Sequence, residues 1–309
     1  MKFDLLLANG PTDRISVAKS LYGWPDGYAK VCEWVQQCQE CPLGAAKRHV
    51  IGVGPVPSLL ACVGEAPGRR EAATGIPFVG DAGGILAFAL RESGRTRDDV
   101  WVGNVVACRP PGNRTPEDSE IESCRPWLQS QLEMVNPSVI ISLGGTANAW
   151  FGIEGGVHRN RGHRTWWNAR LVISTFHPAY LLRNQEAMSE FIEDIRMASR
   201  LVAQLELLDH EPQSVDVVAL RDAHIIHRIK HKTMTIAICS TDSEAAIAHD
   251  AGLVPFTVDE LAFIPRDILA HLADAKKMFR GKEVSYGGRL FCGARSSVEQ
   301  VQGADEVKV

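Results

Sequence analysis

Four short apolar runs rich in β-branched residues, at 59–64, 100–107, 138–143 and 171–176, constrain this chain more than any other feature. Each is too short for a helix and too uniformly apolar for a strand with one wet face, so they read as strands buried on both sides. Helical patterns separate them, at 82–91, 116–135, 146–151 and 185–208. Strands alternating with helices imply right-handed crossovers and a parallel sheet. The expected fold is α/β, a three-layer α/β/α arrangement around a central four-stranded parallel sheet. Thr115, Pro116 and Asp118 suggest an N-cap, first-turn proline and capping box for the second helix, and Gly94 a stop for the first.

In such a sheet, ligands bind beyond the carboxyl ends of the strands. Those ends are polar or glycine-rich here. Gly64, Glu65, Ala66, Pro67 and Gly68 follow the first strand, and Asn104 lies near the end of the second. Gly144 and Gly145 follow the third, and His177 and Pro178 the fourth. One crest thus collects a Glu, an Asn and a His. Between the first strand and its helix, residues 75–84 set one large aromatic, Phe78, among glycines, which would let a phosphate or flat ring approach backbone amides.

Eight cysteines occur at 32, 38, 41, 62, 108, 124, 239 and 292. Cys38 and Cys41 form C-x2-C, and Cys108 and Cys124 are the polar-flanked candidates to complete a four-thiolate site, which suits an iron-sulfur cluster at least as well as zinc. Cys62 and Cys239 sit in apolar runs and read as core. The formal charge of -4 argues against coating nucleic acid with an overall positive field. Residues 1–205 balance at 21 basic against 21 acidic, whereas 206–309 hold 12 against 16. Any polyanion site must be local, and 158–170, with four arginines, two histidines and no acid, is the candidate. The apolar run at 5–8 is far shorter than the roughly 20 residues of a membrane span or the roughly 7 to 15 of a signal-peptide core. A cytoplasmic protein without a membrane partner is expected.

Taken together, Cys38-x2-Cys41-Pro42-Leu43, Gly64-Glu65-Ala66-Pro67-Gly68, Gly75-x-Pro77-Phe78-Val79-Gly80-x-Ala82-Gly83, the run from Asn104 through Cys108-Arg109-Pro110-Pro111 to Asn113-Arg114-Thr115-Pro116, Cys124, Leu143-Gly144-x-Thr146-Ala147 and His177-Pro178-Ala179-Tyr180-Leu181-Leu182-Arg183 resemble the family 4, iron-sulfur uracil-DNA glycosylases. The resemblance covers roughly residues 28–205. It implies hydrolysis of the N-glycosidic bond of uracil in DNA, leaving an abasic site, after the nucleotide is flipped out of the stack. It also implies a [4Fe-4S] cluster on Cys38, Cys41, Cys108 and Cys124, and a protein associated with the nucleoid.

By that resemblance Phe78 would stack on uracil, Asn104 would read its edge, and His177 would donate to O2 beside the amides of the turn formed by Glu65, Ala66 and Gly68. Glu65 is the first choice to orient water, since Ala66 stands where relatives with a clear base carry Asp. Glu71 could share that role or exclude the thymine methyl. Tyr180 and Leu181 would wedge into the vacated stack, Arg183 would steady the DNA backbone, and Gly83 and Arg114 would also bind DNA; Arg161, in the basic stretch 158–170, is a further DNA-binding candidate on charge alone.

The expected organisation is an extension at 1–27, the glycosylase domain at 28–205 and an unassigned α+β segment at 206–309. That last segment has a strand-like stretch at 235–239, a helical one at 267–279 and a basic stretch around Arg221, Arg228, Lys230 and Lys232. A protein partner or self-association is expected there. Two rival readings exist. One is a subfamily that crosslinks to abasic DNA through a histidine, disfavoured because 108–124 holds none. The other is a catalytically weak binding or replication accessory protein.

Overall fold

The computed structural model describes residues 2–8, 14–46, 49–168, 170–209 and five further strand segments, 215–219, 234–239, 254–257, 283–284 and 307–308. The chain divides into two compact units, Met1–Val202 and Ala203–Val309.

The first unit is built on the four expected strands, β1 (Leu60–Gly64), β2 (Trp101–Asn104), β3 (Val139–Leu143) and β5 (Arg170–Thr175). Every residue of the first three is buried, as is all of β5 beyond Arg170. They pair in parallel in the order β2-β1-β3-β5. The sheet has a fifth strand that the sequence reading missed, β4 (Arg164–Trp167), antiparallel to β5 at the edge. The central sheet is therefore five-stranded and mixed. β4 lies within the basic segment 158–170; its half-exposed Arg-Thr-Trp-Trp lacks the apolar continuity of a central strand.

Helices α5 (Asp81–Glu92), α6 (Asp118–Val135), α7 (Gly145–Trp150) and α10 (Met188–Asp209) match the four helical patterns to within a few residues. Gly94 takes the left-handed conformation just past α5, with φ of +74°. The start of α6 differs from expectation. Glu117 is the N-cap and closes a capping box with Glu120, in place of Thr115 and Asp118. Arg114 explains the shift, since its guanidinium holds Glu120 at 2.7 and 2.8 Å and so fixes which carboxylate turns back onto the helix start.

Of residues 1–27, silent in the sequence, the described ones form α1 (Lys2–Ala8), α2 (Arg14–Tyr22) and the start of α3 (Asp26–Gln37). Leu6, Ile15, Ala18, Tyr22 and Trp24 join the same buried cluster as Val63, Trp101 and Ile140. A buried polar chain ties α3 and α6 to β2. The Trp101 indole N–H donates to the Tyr28 hydroxyl at 2.7 Å, and that hydroxyl donates to the Gly52 carbonyl at 2.9 Å. Gln131 Oε1 accepts the Gly52 N–H at 2.9 Å. Gly52 is obligatory there, because a Cβ would lie 1.9 Å from the Trp101 ring.

In the second unit, β6 (Val215–Ala219), β7 (Met234–Cys239) and β8 (Val254–Thr257) form a parallel three-stranded sheet, and β9 (Glu283–Val284) pairs antiparallel with β10 (Val307–Lys308). β7 coincides with the strand read at 235–239. The helix read at 267–279 and the basic stretch around Arg228 lie outside the described residues. Among the described residues no helix is long and apolar enough to cross a membrane.

Candidate active site and cysteine centre

Gly64 and Asn104, the last residues of β1 and β2, are partners in the parallel ladder. Side chains leaving this end of the sheet converge on one place. Asn104 is buried, and its Oδ1 has no hydrogen-bond partner, an arrangement that costs about 1–3 kcal/mol unless a ligand supplies the donor. Phe78 lies directly across from it. A Cβ on Gly64 would stand 2.5 Å from Phe78 Cζ and 2.8 Å from Asn104 Oδ1, so glycine is what lets ring and amide share the space.

Phe78 adopts φ of +55°, a left-handed conformation unusual for a residue with a bulky side chain. Its loop is held from below. Glu71 Oε1 accepts the N–H groups of Val79 and Gly80 at 3.1 and 2.9 Å. Gly83, in the first turn of α5, is buried where a Cβ would come within 1.9 Å of the Phe78 carbonyl. Glu71 and Gly83 thus shape the pocket wall. The Phe78 ring faces His177, with centroids 5.8 Å apart and planes tilted by 37°.

His177 leads into α9 (Pro178–Leu181), and its Nδ1 accepts the Ala179 N–H at 3.1 Å. That bond assigns the ring proton to Nε2. Burial lowers the imidazole from its ordinary 6.5 to about 4, so the ring is neutral at physiological pH and keeps one N–H donor, at Nε2. Glu65 begins the turn after β1, and the Thr146 hydroxyl on α7 donates to its Oε2. Ala66 and Gly68 are half-buried in that turn, and Gly68 caps α4 (Arg69–Thr74). A flat aromatic face, an amide, a neutral imidazole N–H and a carboxylate suit a planar heterocycle bearing carbonyl oxygens.

Cys38, Cys41, Cys108 and Cys124 come from the end of α3, the turn after it, the exit of β2 and α6. They share one neighbourhood. Burial, and then the proximity of Cys124, Cys41 and Cys38, pushes the Cys108 thiol up to about 12; Cys124 is raised to about 11, chiefly by burial. The Trp127 indole N–H points at Cys38 Sγ (3.2 Å) and the Ala107 N–H at Cys124 Sγ (3.2 Å), the kind of donor that stabilises a thiolate bound to metal. His49 braces the centre through its Nε2 and the Cys38 carbonyl at 2.9 Å. No group of three or more His, Cys, Asp or Glu among the described residues is gathered as a ready metal chelate. The donor set and the N–H groups aimed at sulfur fit a thiolate-bound group.

The sequence model of the Uracil DNA glycosylase superfamily matches residues 51–196, a span that contains every pocket residue above. A type-4 uracil-DNA glycosylase of Thermotoga maritima is 44% identical over 178 residues, which is 56% of this chain and 93% of that protein. This chain belongs to the type-4 uracil-DNA glycosylase family. Type-4 uracil-DNA glycosylases of Saccharolobus solfataricus (34% identity, 62% of this chain, 91% of the relative) and Archaeoglobus fulgidus (37%, 54% and 89%) are similar at comparable coverage.

The expected DNA contacts divide. Tyr180 is half-buried beside the pocket, stacked on Phe176 at 5.2 Å, with His158 edge-on to both rings at 5.0 and 5.4 Å. Arg183 is exposed. Leu181 is a correction: it is fully buried at the end of α9, and its neighbour Leu182, 47% exposed, is the apolar side chain at the surface. Arg114 is engaged by Glu117 and Glu120, and Arg161 by Glu190 and Asp194 at 3.6 and 3.0 Å, so neither guanidinium is free for a phosphate. Gly83 is packed under Phe78. Sequence reasoning assigned no role to Thr146 or Phe176, and named His158 only as part of the basic stretch 158–170. Thr146 lay inside a quoted motif, but nothing local tied its hydroxyl to Glu65, 81 residues away.

Proposed function

We propose that this chain is a monofunctional DNA-repair glycosylase that releases uracil from DNA. The observation that carries this is the buried Asn104 carbonyl oxygen without a donor, facing an aromatic ring and a neutral imidazole at the end of the sheet. The type-4 uracil-DNA glycosylase names of its relatives support the same reading.

Uracil flipped from the duplex would lie on Phe78, its N3–H donated to Asn104 Oδ1 and its O4 accepting from the Asn104 amide. Cytosine offers the reverse pattern at those atoms and leaves a buried amide unmatched, at about 1–3 kcal/mol per group. As the C1′–N1 bond breaks, its electron pair moves into the uracil ring and charge builds on O2. The His177 Nε2–H, already a donor without needing a second proton, stabilises that oxygen by roughly 3 kcal/mol. Water adds its oxygen to C1′ and passes a proton to Glu65, whose other carboxylate oxygen Thr146 holds in place. Leu182 and Tyr180 would fill the gap in the stack, with Arg183 against the backbone.

The four cysteines would hold a [4Fe-4S] cluster. Bound there, it supplies a structural link between the end of α3, the exit of β2 and α6, and takes no part in hydrolysis.

The test is an end-labelled oligonucleotide with one deoxyuridine, incubated with the purified chain and then cut by alkali. Strand scission at uracil and not at thymine or cytosine is expected, with Asn104→Ala and His177→Ala each slower by about tenfold or more. Wild-type rates in both variants would overturn the site assignment, and no release at all would overturn the activity.

A further inference from the structure

Behind the pocket wall lies a cation that the mechanism above does not use. Arg97, in the connection between α5 and β2, is 4% exposed, and its Nε and Nη1 have no partner. Its Nη2 reaches the Pro77 carbonyl oxygen at 3.4 Å. The adjacent carboxylate, Asp98, is turned to α1, where it accepts the N–H groups of Lys2 and Phe3 at 2.9 and 2.7 Å. The Phe3 ring covers the guanidinium, whose central carbon lies 4.6 Å from the ring centroid. A buried arginine with unmet donors is costly to keep. The polar group it does reach is the peptide that joins Pro77 to Phe78.

That peptide is under a particular demand. Phe78 has φ of +55°, and the orientation of the Pro77 carbonyl is geometrically coupled to that angle. On the other side of Phe78, Glu71 holds the next two N–H groups. A buried cation on the carbonyl before and a buried anion on the amides after bracket one residue in an unfavoured conformation. The loop is braced again where Arg14, also buried, packs on Gly75: a Cβ there would meet Arg14 Cδ at 3.0 Å.

We propose that Arg97 is a positioning residue for the glycosylase reaction: by holding the Pro77–Phe78 peptide it keeps Phe78 left-handed and its ring aimed at the base, with α1 as the cover that excludes water from the guanidinium. The inference rests on the uracil-glycosylase reading and deepens it.

A double-mutant cycle tests it. Single-turnover uracil release is measured for wild type, Arg97→Met, Arg97→Lys, Phe78→Gly and the Arg97→Met/Phe78→Gly pair. Arg97→Met is expected to slow release by about tenfold or more, with affinity for abasic-site DNA within about threefold of wild type, and Arg97→Lys to recover part of the loss. Glycine takes positive φ unaided, so in the Phe78→Gly background Arg97→Met should cost less than about threefold. An equal loss in both backgrounds, or no loss in either, overturns the proposal. Should Arg97→Met fail to fold, Arg97→Lys replaces it in the same cycle: a loss larger beside Phe78 than in the Phe78→Gly background is expected, and an equal loss in both, or none in either, overturns the proposal. A readout independent of activity separates this claim from the function itself. The backbone couplings of Phe78 in the NMR spectrum report a positive φ in wild type, and that population should fall in the Arg97 variant. A wild-type chain that releases no uracil would sink the function, and the couplings would still decide the positioning.

Discussion

His177 packs against Phe78 on one side and the Gly144 backbone on the other, where a Cβ would come within 2.8 Å of its own. The imidazolium loses solvation in that slot, and its pKa falls from 6.5 to about 4. A base with a depressed folded value binds its proton more weakly in the native state. Stability tied to His177 is therefore complete above 6.5 and is lost as pH falls from 6.5 toward 4. Nitrogen-detected NMR should show a ring protonated at Nε2 and bare at Nδ1 at neutral pH, titrating near 4; a midpoint near 6.5 would contradict the neutral donor. Gly64 makes a second prediction at this scale. Gly64→Ala would drive a methyl into both Phe78 and Asn104, and displacements of about 1 Å in a reacting constellation cost about a hundredfold. Single-turnover release should fall by about that factor while circular dichroism shows a folded chain.

Elements, by contrast, respond to how their ends are tied. The Arg114–Glu120 pair sets the start of α6, with Glu120 nearly wholly buried. Arg114→Ala would leave that carboxylate without its guanidinium and should lower the urea midpoint of unfolding, with affinity for abasic-site DNA little changed. A loss of DNA affinity without a loss of stability would restore Arg114 to the DNA surface. The same locality decides what the sequence could reveal. The four central strands were legible because a strand buried on both faces has to be apolar throughout, and Phe78, Asn104 and His177 because they stand where such strands end. β4 was hidden by being an edge strand with charge and exposure. The Glu117 cap was hidden because Thr115 and Pro116 satisfy the usual rule, while the deciding ion pair is tertiary. Leu181 and Leu182 exchange roles because one step along a helix turns a side chain by about 100°. Arg161 read as a phosphate ligand because its partner, Asp194, lies 33 residues away.

At the scale of the molecule, charge argues for a light electrostatic grip on DNA. Residues 1–205 carry no net charge, and two arginines in the expected DNA surface are neutralised within the fold. A titration of affinity against salt should give a log–log slope of about -2 to -4, the signature of a few phosphate contacts at roughly 0.9 each. A slope near -8 would require a basic surface on the scale of a dedicated DNA-coating protein. The position of the cysteines in the chain has a consequence of another kind, for the order of assembly. Cys38, Cys41, Cys108 and Cys124 have all been translated before β3, β4 and β5. On the proposed occupancy, iron could be loaded onto a nascent polypeptide that still lacks three of the five strands of its central sheet. Metal delivery would then not have to wait for β3, β4 and β5 to join the sheet, and those strands would add to a part of the chain already fastened together.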